Sequence, residues 1–473
     1  MLYGMIPLLF WKHQPLRMAS KKEVSTELPE ELSTELPTEL LLAIFACLAS
    51  DRRTLFSAMQ VNSRWFVWCA EVLWQIPSFD LPKLIERVDD PMRRQLYVDR
   101  IRTLHLGKGN DVWRLLDLEF PCLKTVELRG CAGKPLRAAL RCPSRKRQLQ
   151  NLTLRDLRMS APTLRLLEKR CQHLRVLELS HRLHCEGQPF FDFLQSLQNL
   201  RSLTLTRNLD ATILEPACNS MHDGAFESLE ELKIDSLKGS LSASALHMIL
   251  ARCTKLKAFE YNADSDLVFE ETIACLPART SLTNVRVQGM PYDQLCTYSP
   301  PGKVSNLSLE GSAKSIESIL TLVPSSLSNL SCAIREVSPS ICGLISRSKH
   351  LKTLHLDLPN NQKLTREDLK ALESLKELQA LTIRSLPAKD TVTDLSDVYC
   401  TEYRNKLRMD WLTDEDFGRW IQNFPELQKL DLDWRCDQLT ATSVKAVANC
   451  CPRLKDCRLL WEHDLDECSI RGF

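Results

Sequence analysis

The chain has 473 residues, which is more than one ordinary globular core accommodates, so several domains or a repeat array are expected. Its 62 Lys and Arg residues balance 60 Asp and Glu residues without a long like-charged block, which argues against a nucleic-acid or membrane-surface protein. Only 14 glycines are present, so a fold with many tight turns or phosphate-binding loops is not expected.

The cysteine spacing and the missing catalytic motifs limit the chemistry to be expected of the chain. Nineteen cysteines are spread along the chain, and neither C-x2-C nor C-x4-C spacing occurs. This pattern favours reduced, mostly buried thiols in a cytoplasmic or nuclear protein, and it predicts no metal site and no cofactor. The common nucleotide-binding, hydrolase and zinc-protease motifs are also missing from the sequence, so we expect a protein without catalytic activity of its own.

The first segment, 1–33, has no usable periodicity and is expected to be disordered. Its apolar start has neither a basic region nor a small-x-small cleavage site, so we predict no signal peptide and no membrane span. Met18 is an alternative start. A direct duplication follows, STELPEEL and then STELPTEL, and the second copy runs directly into an apolar block.

That block, 34–76, has the size of a three-helix module, and its apolar residues exceed what so small a core can bury. Large apolar side chains left at a surface are typical anchors of a protein interface. The residues of this surplus are Leu36, Leu40, Leu41, Phe45, Leu48, Leu55, Trp65, Leu73 and Trp74.

The order and spacing of the block carry a family resemblance. Leu36-Pro37, Glu39-Leu40, Ile44-Phe45, Leu48, Leu55, Val61 with Trp65 four residues later, and Leu73-Trp74 match the F-box motif, and the block resembles that family over about 40 residues. Asn62 departs from it, because the family commonly has Cys there. The alternative is that the block only caps the repeats behind it.

The resemblance implies a module that binds a SKP-type adaptor and, through it, the cullin of a cullin–RING ubiquitin ligase. The residues it assigns to adaptor binding are Leu36, Pro37, Leu40, Leu41, Ile44, Phe45, Leu48, Leu55, Val61, Trp65, Leu73 and Trp74.

A Pro-interrupted segment over 77–100 predicts a helical connector, and from 101 to 473 one pattern, L-x-x-L-x-L, recurs. Its middle apolar positions are Leu104, Val126, Leu152, Leu177, Leu203, Leu232, Phe259, Val285, Leu307, Leu330, Leu354, Leu381, Leu430 and Cys457. The spacing is 22 to 29 residues except for a gap of 49 before Leu430. We interpret 405–409, around Leu407, as a degenerate fifteenth repeat in this gap, and 385–404 as a polar insertion.

A short strand and a helix every 22 to 29 residues are typical of leucine-rich repeats. The sequence therefore predicts an α/β fold, in which an all-α three-helix module precedes a solenoid with a curved parallel sheet inside and helices outside. Helices are expected after Thr365 and Thr413, each a capping hydroxyl with an acid three residues on. Cys171, Cys253 and Cys451 each precede a repeat as Cys-x-x-Leu, which is similar to the cysteine-containing subclass of these repeats, and we expect them to pack in the core.

The whole arrangement resembles the F-box/leucine-rich-repeat substrate receptors of ubiquitin ligases. The resemblance implies that the repeats bind a target protein while the F-box binds the adaptor. The alternative is a leucine-rich-repeat scaffold or GTPase-activating protein that acts outside a ligase.

A target surface is expected on the outward positions of the strands, where both charge signs are mixed and no basic stripe occurs. Near the C-terminus, Trp434 and Trp461 occupy equivalent positions in two repeats. We predict them as anchors for a target, together with the surrounding charges Asp431, Asp433, Arg435 and Arg458. The alternative is that the two tryptophans cap the core.

Overall fold

A computed structural model describes most of the chain from residue 36 onward. The described residues are 36–75, 85, 88–107, 118–130, 149–156, 160–180, 187–206, 226–235, 243–262, 281–288, 304–321, 326–359, 362–386, 407–436 and 438–460. The predicted disorder of 1–33 lies outside them. The chain divides into two compact units, with the boundary after Val72.

The first unit contains three helices, as predicted. They are α1 (Thr38–Cys47), α2 (Arg52–Ala58) and α3 (Ser63–Gln75), of which α3 continues past the unit boundary. Leu41, Phe45 and Leu55 are almost completely buried. The ring of Phe45 meets that of Trp65 edge to face, with centroids 5.3 Å apart. Such aromatic pairs add stabilisation beyond the area they bury, and this one ties α1 to α3.

Two side chains cap these short helices. Asp51 precedes α2 and accepts hydrogen bonds from the backbone N–H groups of Arg53 and Thr54 at 3.1 and 3.2 Å. Asn62 precedes α3, and its Oδ1 accepts from the backbone N–H of Trp65 at 2.8 Å. Asn is among the best N-cap residues, worth about 1 kcal/mol over Ala. The departure from the F-box pattern at Asn62 therefore has a local structural function.

The second unit opens with the rest of α3 and with α4 (Pro91–Val98). The side chain of Asp90 caps α4 by accepting from the backbone N–H of Met92 at 2.9 Å. The ring of Trp74 stacks on that of Tyr97 with centroids 4.7 Å apart. α4 lies within 77–100, the segment for which the sequence predicts a helical connector.

The rest of the second unit is a parallel sheet, in which fifteen strands are described. They are β1 (Thr103–Leu106), β2 (Thr125–Arg129), β3 (Asn151–Arg155), β4 (Val176–Ser180), β5 (Ser202–Thr206), β6 (Glu231–Asp235), β7 (Ala258–Asn262), β8 (Asn284–Gln288), β9 (Asn306–Gly311), β10 (Asn329–Ile334), β11 (Thr353–Pro359), β12 (Ala380–Leu386), β13 (Leu407–Arg408), β14 (Lys429–Arg435) and β15 (Asp456–Leu460). From β1 to β12 each strand pairs with the next in the chain.

Helices connect many of these strands. Those described are α5 (Ala161–Arg170), α6 (Gly187–Ser196), α7 (Ala243–Arg252), α8 (Ala313–Thr321), α9 (Ile341–Ile345), α10 (Arg366–Leu372), α11 (Asp414–Ile421) and α12 (Ala441–Cys450). Thr365 and Thr413 cap α10 and α11 through their side chains, as the sequence predicts, and Thr365 forms a complete capping box with Asp368. None of the helices in the described ranges is long and apolar enough to cross a bilayer.

The predicted register is confirmed along the sheet. Leu104 pairs with Val126, and the same position pairs through every described repeat to Leu430 and Cys457. Along the strands, buried and partly exposed side chains alternate. Because side chains alternate across a strand, one sheet face forms the core of the solenoid. The other face, which we call the open face, carries the intervening polar residues.

The predicted fifteenth repeat is wrong in its position. β12 pairs directly with β14, with Leu381 opposite Leu430, so no strand lies between them. β13 has two residues and pairs with the last two of β14, Leu407 with Trp434. The first part of β14 therefore pairs with β12, and its last two residues pair with β13. Leu407 is fully buried, so its segment contributes an apolar core residue and adds no further layer to the sheet.

The thiols before the strands are core residues. Cys171, Cys253 and Cys451 are buried and form no disulfide. Burial raises the pKa of each of these three thiols to about 12. The thiol of Cys253 also donates to the carbonyl oxygen of Ile249 at 3.1 Å. Protonated thiols of this kind behave as small apolar side chains, as predicted.

Candidate functional site

The first unit has an apolar strip along α1. Leu36, Leu40 and Ile44 are 44%, 51% and 45% exposed. Residues four positions apart lie on the same side of a helix, so Leu40 and Ile44 form one strip that Leu36 continues at the N-terminal end. The backbone carbonyl of Leu36 is held by Arg64, whose guanidinium donates to it at 2.9 Å. We call Leu36, Leu40 and Ile44 the α1 strip.

The predicted adaptor-binding residues divide by burial. Pro37 and Val61 are exposed like the α1 strip, and Leu48, Trp65, Leu73 and Trp74 are half-buried. Leu41, Phe45 and Leu55 are core residues; the structure corrects their assignment, because buried side chains hold the module together and offer no free surface.

One exposed apolar residue of the module was missed. Val67 on α3 is 39% exposed. It lies in the apolar run RWFVWCA, where its neighbours include half-buried and buried residues, so the composition of the run gives no sign of which side chain faces outward.

The open face of the sheet contains a shallow groove of about 400 Å³. It extends over β5 to β11 and is lined mainly by polar side chains. Its walls include Lys233, Glu260, Arg286 and His355, and its floor between Arg286 and His355 is made of short uncharged groups such as Ser308 and Ser331. A groove with charges of both signs along it suits contact with a protein segment.

Beyond the groove, at the N-terminal end of the open face, charges neutralise one another. Glu127 accepts from His105 at 2.8 Å and from Arg129 at 2.7 Å, and Arg155 bonds Glu178 at 2.9 Å. Burial alone would raise the pKa of the Glu127 carboxyl, but the hydrogen bonds from Arg129 and His105 outweigh it and lower that pKa. This cluster is largely self-satisfied, which leaves it little capacity for a ligand.

In the groove, one carboxylate contacts two cations. Lys233 lies 2.9 Å from Oε2 of Glu260, and Arg286 lies 3.4 Å from its Oε1. Glu260 is thus placed between two cations, and the Arg286 side chain remains half exposed.

An amide ladder adjoins these charges. Asn329 donates through Nδ2 to Oδ1 of Asn306, and Asn306 donates in the same way to Asn284. These three residues occupy equivalent positions on β10, β9 and β8. The ladder is directional, and its amide groups point toward β8, where Arg286 is the next outward residue after Asn284.

At the C-terminal end the structure supports the alternative for Trp434, that its side chain packs on the core, over the role of an exposed anchor. Its side chain is 1% exposed and its ring lies 5.8 Å from that of Trp420 on α11. The reason is alternation: Leu430, Leu432 and Trp434 are two residues apart, and all three are buried. Trp434 therefore belongs to the core and is not an exposed anchor. The same alternation was visible in the sequence.

The charges predicted around it are placed differently. Asp431 is 3% exposed and its Oδ2 accepts from Arg384, which raises the pKa of that guanidinium. This ion pair replaces the predicted contact surface at Asp431. Asp433 is half-buried and Arg458 is exposed. Arg435 ends β14.

Two predicted features lie outside the described residues, namely Trp461 and most of the insertion 385–404. Within the described ranges, no group of three or more His, Cys, Asp or Glu side chains is arranged to hold a metal ion.

Comparison with known proteins identifies the first unit. Residues 33–80 match the family model described as F-box-like. No curated protein is significantly similar to the chain in sequence.

Two solved structures resemble the chain at low sequence identity. The internalin InlF of Listeria monocytogenes is 14% identical, with a TM-score of 0.45 over 82% of this chain and 96% of that one. Yeast Rad7, solved in complex with Elc1, is 14% identical, with a TM-score of 0.35 over 84% of this chain and 93% of that one. The repeat assignment rests on the strand register described above.

Taken together, the matched module and the repeat register define the class of protein. The chain carries an N-terminal F-box-like domain, followed by a leucine-rich-repeat-like solenoid with one parallel sheet.

Proposed function

We propose that the chain is a substrate-recognition subunit of a SKP–cullin–F-box type ubiquitin ligase, with no catalytic step of its own. Its F-box-like domain binds a SKP-type adaptor and, through it, a cullin. Its repeats bind a target protein for ubiquitination and proteasomal degradation. Such a complex works in the cytoplasm or the nucleus.

The observation that carries this proposal is the α1 strip. Leu36, Leu40 and Ile44 are each 44% or more exposed in a module that matches an F-box-like model. Single exposed leucines need no explanation, but Leu40 and Ile44 on one side of α1, continued by Leu36 just before the helix, form a contiguous apolar edge. Burial against a partner stabilises such an edge by about 25 cal/mol for each Å² removed from water.

Target binding is assigned to the open face. Parallel strands present one row of outward side chains for each repeat, and the groove over β5 to β11 is the concave part of that face. At the C-terminal end of the open face, outside the groove, we propose further target contacts at Asp433, Arg435 and Arg458.

The test is co-purification from cells with a charge placed on the α1 strip. The double variant Leu40→Glu with Ile44→Glu should lose both the adaptor and the cullin, because two carboxylates would be buried without partners at the interface. Ala46→Glu is the matched control: it is also exposed on α1 but about 200° around the helix from Ile44, and it should retain both proteins.

Each other outcome has a definite meaning. Adaptor without cullin would replace the ligase by a scaffold role, and neither protein with the unmodified chain would refute adaptor binding. Equal losses in the double variant and in Ala46→Glu would show that charge anywhere on α1 disrupts the module, and the α1 strip would not be the interface.

A further inference from the structure

Charge is divided unevenly along the repeats, although the whole chain is nearly neutral. Residues 101–206, the part that includes β1 to β5, contain 19 Lys and Arg against 9 Asp and Glu, whereas residues 207–473 contain 31 against 38. An excess of one sign confined to one part of a chain indicates a surface that attracts the opposite charge.

Part of this excess lies on a column of residues that come immediately before the strands. Each backbone N–H of the column donates to the carbonyl oxygen of the column residue one repeat earlier, at 2.7 or 2.8 Å, so the backbone aligns these residues from β1 to β5. We call the five residues of this part the basic column, and its four cations are exposed. They are Arg102, Lys124, Gln150, Arg175 and Arg201. None of them lines the groove on the open face.

An acid neutralises the column only at one end. Glu230, the next residue along the column, lies 3.7 Å from Arg201 through Oε1, but its Oε2 lies 2.6 Å from Lys257. In the middle of the column, Lys124 and Arg175 form no ion pair and no side-chain hydrogen bond within the described ranges. The charge of the basic column is therefore largely available to a partner.

The charges around the column do not balance it either. The remaining charged residues described between 99 and 206 are six cations and seven acids, which nearly cancel one another. Those nearest to the column in the repeat are Asp99, Arg100, Glu119 and Arg170, two of each sign. The positive excess of the described part of these repeats thus belongs to the basic column itself.

The column offers its cations one strand at a time. Neighbouring strands are about 4.8 Å apart, so five strands span about 19 Å, the length of about six extended residues. Alternate residues of an extended segment lie on the same side and are about 7 Å apart, so three acidic side chains fit along the column. A single phosphate group would contact only the one or two cations nearest to it.

The surroundings of the column do not suit nucleic acid. Single strands bind by stacking their bases on aromatic side chains. Among the described residues, no aromatic side chain is one of the exposed large apolar ones. Charge and geometry together therefore favour a protein segment with several separate carboxylates.

We propose that the basic column binds an extended acidic segment of the target protein, with several Asp or Glu side chains along its four cations. The proposal rests on the proposed function, since it specifies what the repeats recognise. Charge complementarity decides the occupant, because a row of single cations matches a row of single carboxylates.

The experiment uses the full chain purified with its adaptor, three pools of labelled nonapeptides and a labelled single-stranded oligothymidylate. Each pool has degenerate uncharged residues around three fixed alternate positions, which are three Glu, three Gln, or one phosphoserine between two Gln. Fluorescence anisotropy should show that the Glu pool binds at least about tenfold better than each other probe. Its affinity should fall with added salt, because exposed charges are screened.

Two double variants locate the binding. Lys124→Gln with Arg175→Gln should weaken binding of the Glu pool about tenfold, the scale of two exposed ion pairs. Lys352→Gln with Lys455→Gln is the matched control, because it removes the same charge from two exposed lysines at the equivalent position before β11 and β15. The control should bind the Glu pool like the unmodified chain.

Several results would overturn the proposal: no binding of the Glu pool, equal binding of the Glu and Gln pools, stronger binding of the phosphoserine pool or of the oligothymidylate, or equal losses in the two double variants. Adaptor retention is measured in the same samples. Failure of the peptide preference with the adaptor still bound refutes only this inference, while failure of the unmodified chain to retain the adaptor refutes the proposed function.

Discussion

The indole of Trp434 joins the end of the sheet to the helix layer. It contacts Trp420 on α11, and the ring of Trp420 in turn lies 5.2 Å from that of Phe424. The Nε1 of Trp434 is buried without a hydrogen-bond partner among the described residues. The ring therefore stabilises the core through its apolar area, while its N–H group is a cost.

Trp434→Ala should reduce the free energy of unfolding by about 3–5 kcal/mol, because the substitution leaves a cavity beside Trp420. Trp434→Phe should cost much less, since it keeps an aromatic ring and removes the unpaired N–H. Urea unfolding of the full chain, followed by circular dichroism, measures both. An unchanged unfolding curve for Trp434→Ala would contradict the burial of this side chain.

At the scale of elements, side chains between neighbouring repeats hold the helix layer in register. Asp414, the first residue of α11, accepts from the backbone N–H of Thr440 at 2.8 Å and from the Thr440 hydroxyl at 2.6 Å. The hydroxyl of Ser443 on α12 donates to it as well, at 2.5 Å. Burial raises the pKa of the Asp414 carboxyl, but the hydrogen bonds from Ser443 and Thr440 outweigh it and the pKa is lowered from 3.8.

A lowered pKa in the folded state means that the Asp414 carboxylate stabilises the fold at pH values above about 3.8 and loses that contribution as the pH falls through the folded-state value. Asp414→Asn should therefore be less stable than the unmodified chain at pH 7, and the difference should shrink below about pH 4. Urea unfolding at pH 7 and at pH 3 measures it. Asp410→Asn, at an exposed position, is the control. A difference that is independent of pH would contradict the assignment.

The elements also show what the sequence could predict. The repeat register from Leu104 to Cys457 followed from the sequence pattern alone, because within each strand the core residues are two positions apart. Spacing failed at Leu407. Two intervals of ordinary length fit the gap between Leu381 and Leu430, but periodicity does not say which strands pair. In the structure β14 pairs with β12, and the last two residues of β14 pair with β13.

For the candidate sites, the sequence indicated which residues belong to a motif, but it did not indicate which of them are exposed. In the F-box-like domain the motif selected both Leu40, which is exposed, and Leu41, which is core, because family spacing reflects folding and binding together. The outward strand positions were predicted as a target surface, but the side-chain contacts along the groove were not. The ladder of Asn284, Asn306 and Asn329 requires three residues from different repeats to face one another, and it becomes visible only when the strands are aligned.

At the scale of the whole molecule, two surfaces of different chemistry lie on two separate units. The α1 strip is apolar and belongs to the first unit, and the polar groove belongs to the second. An apolar edge suits a constant partner that remains bound, whereas a polar, mixed-charge groove suits selective recognition of a segment. This division of chemistry is what an adaptor between two proteins requires.

Calorimetric titration of the full chain with a purified SKP-type adaptor measures whether the F-box-like domain binds that adaptor through the α1 strip. We predict one-to-one binding with a negative heat-capacity change, the sign of apolar burial. The affinity should fall at least about a hundredfold in Leu40→Glu with Ile44→Glu, since each buried unpaired charge costs more than 1.4 kcal/mol. Ala46→Glu should bind normally. Absence of binding by the unmodified chain would contradict adaptor binding, and unchanged affinity in the double variant would contradict the α1 strip as the interface.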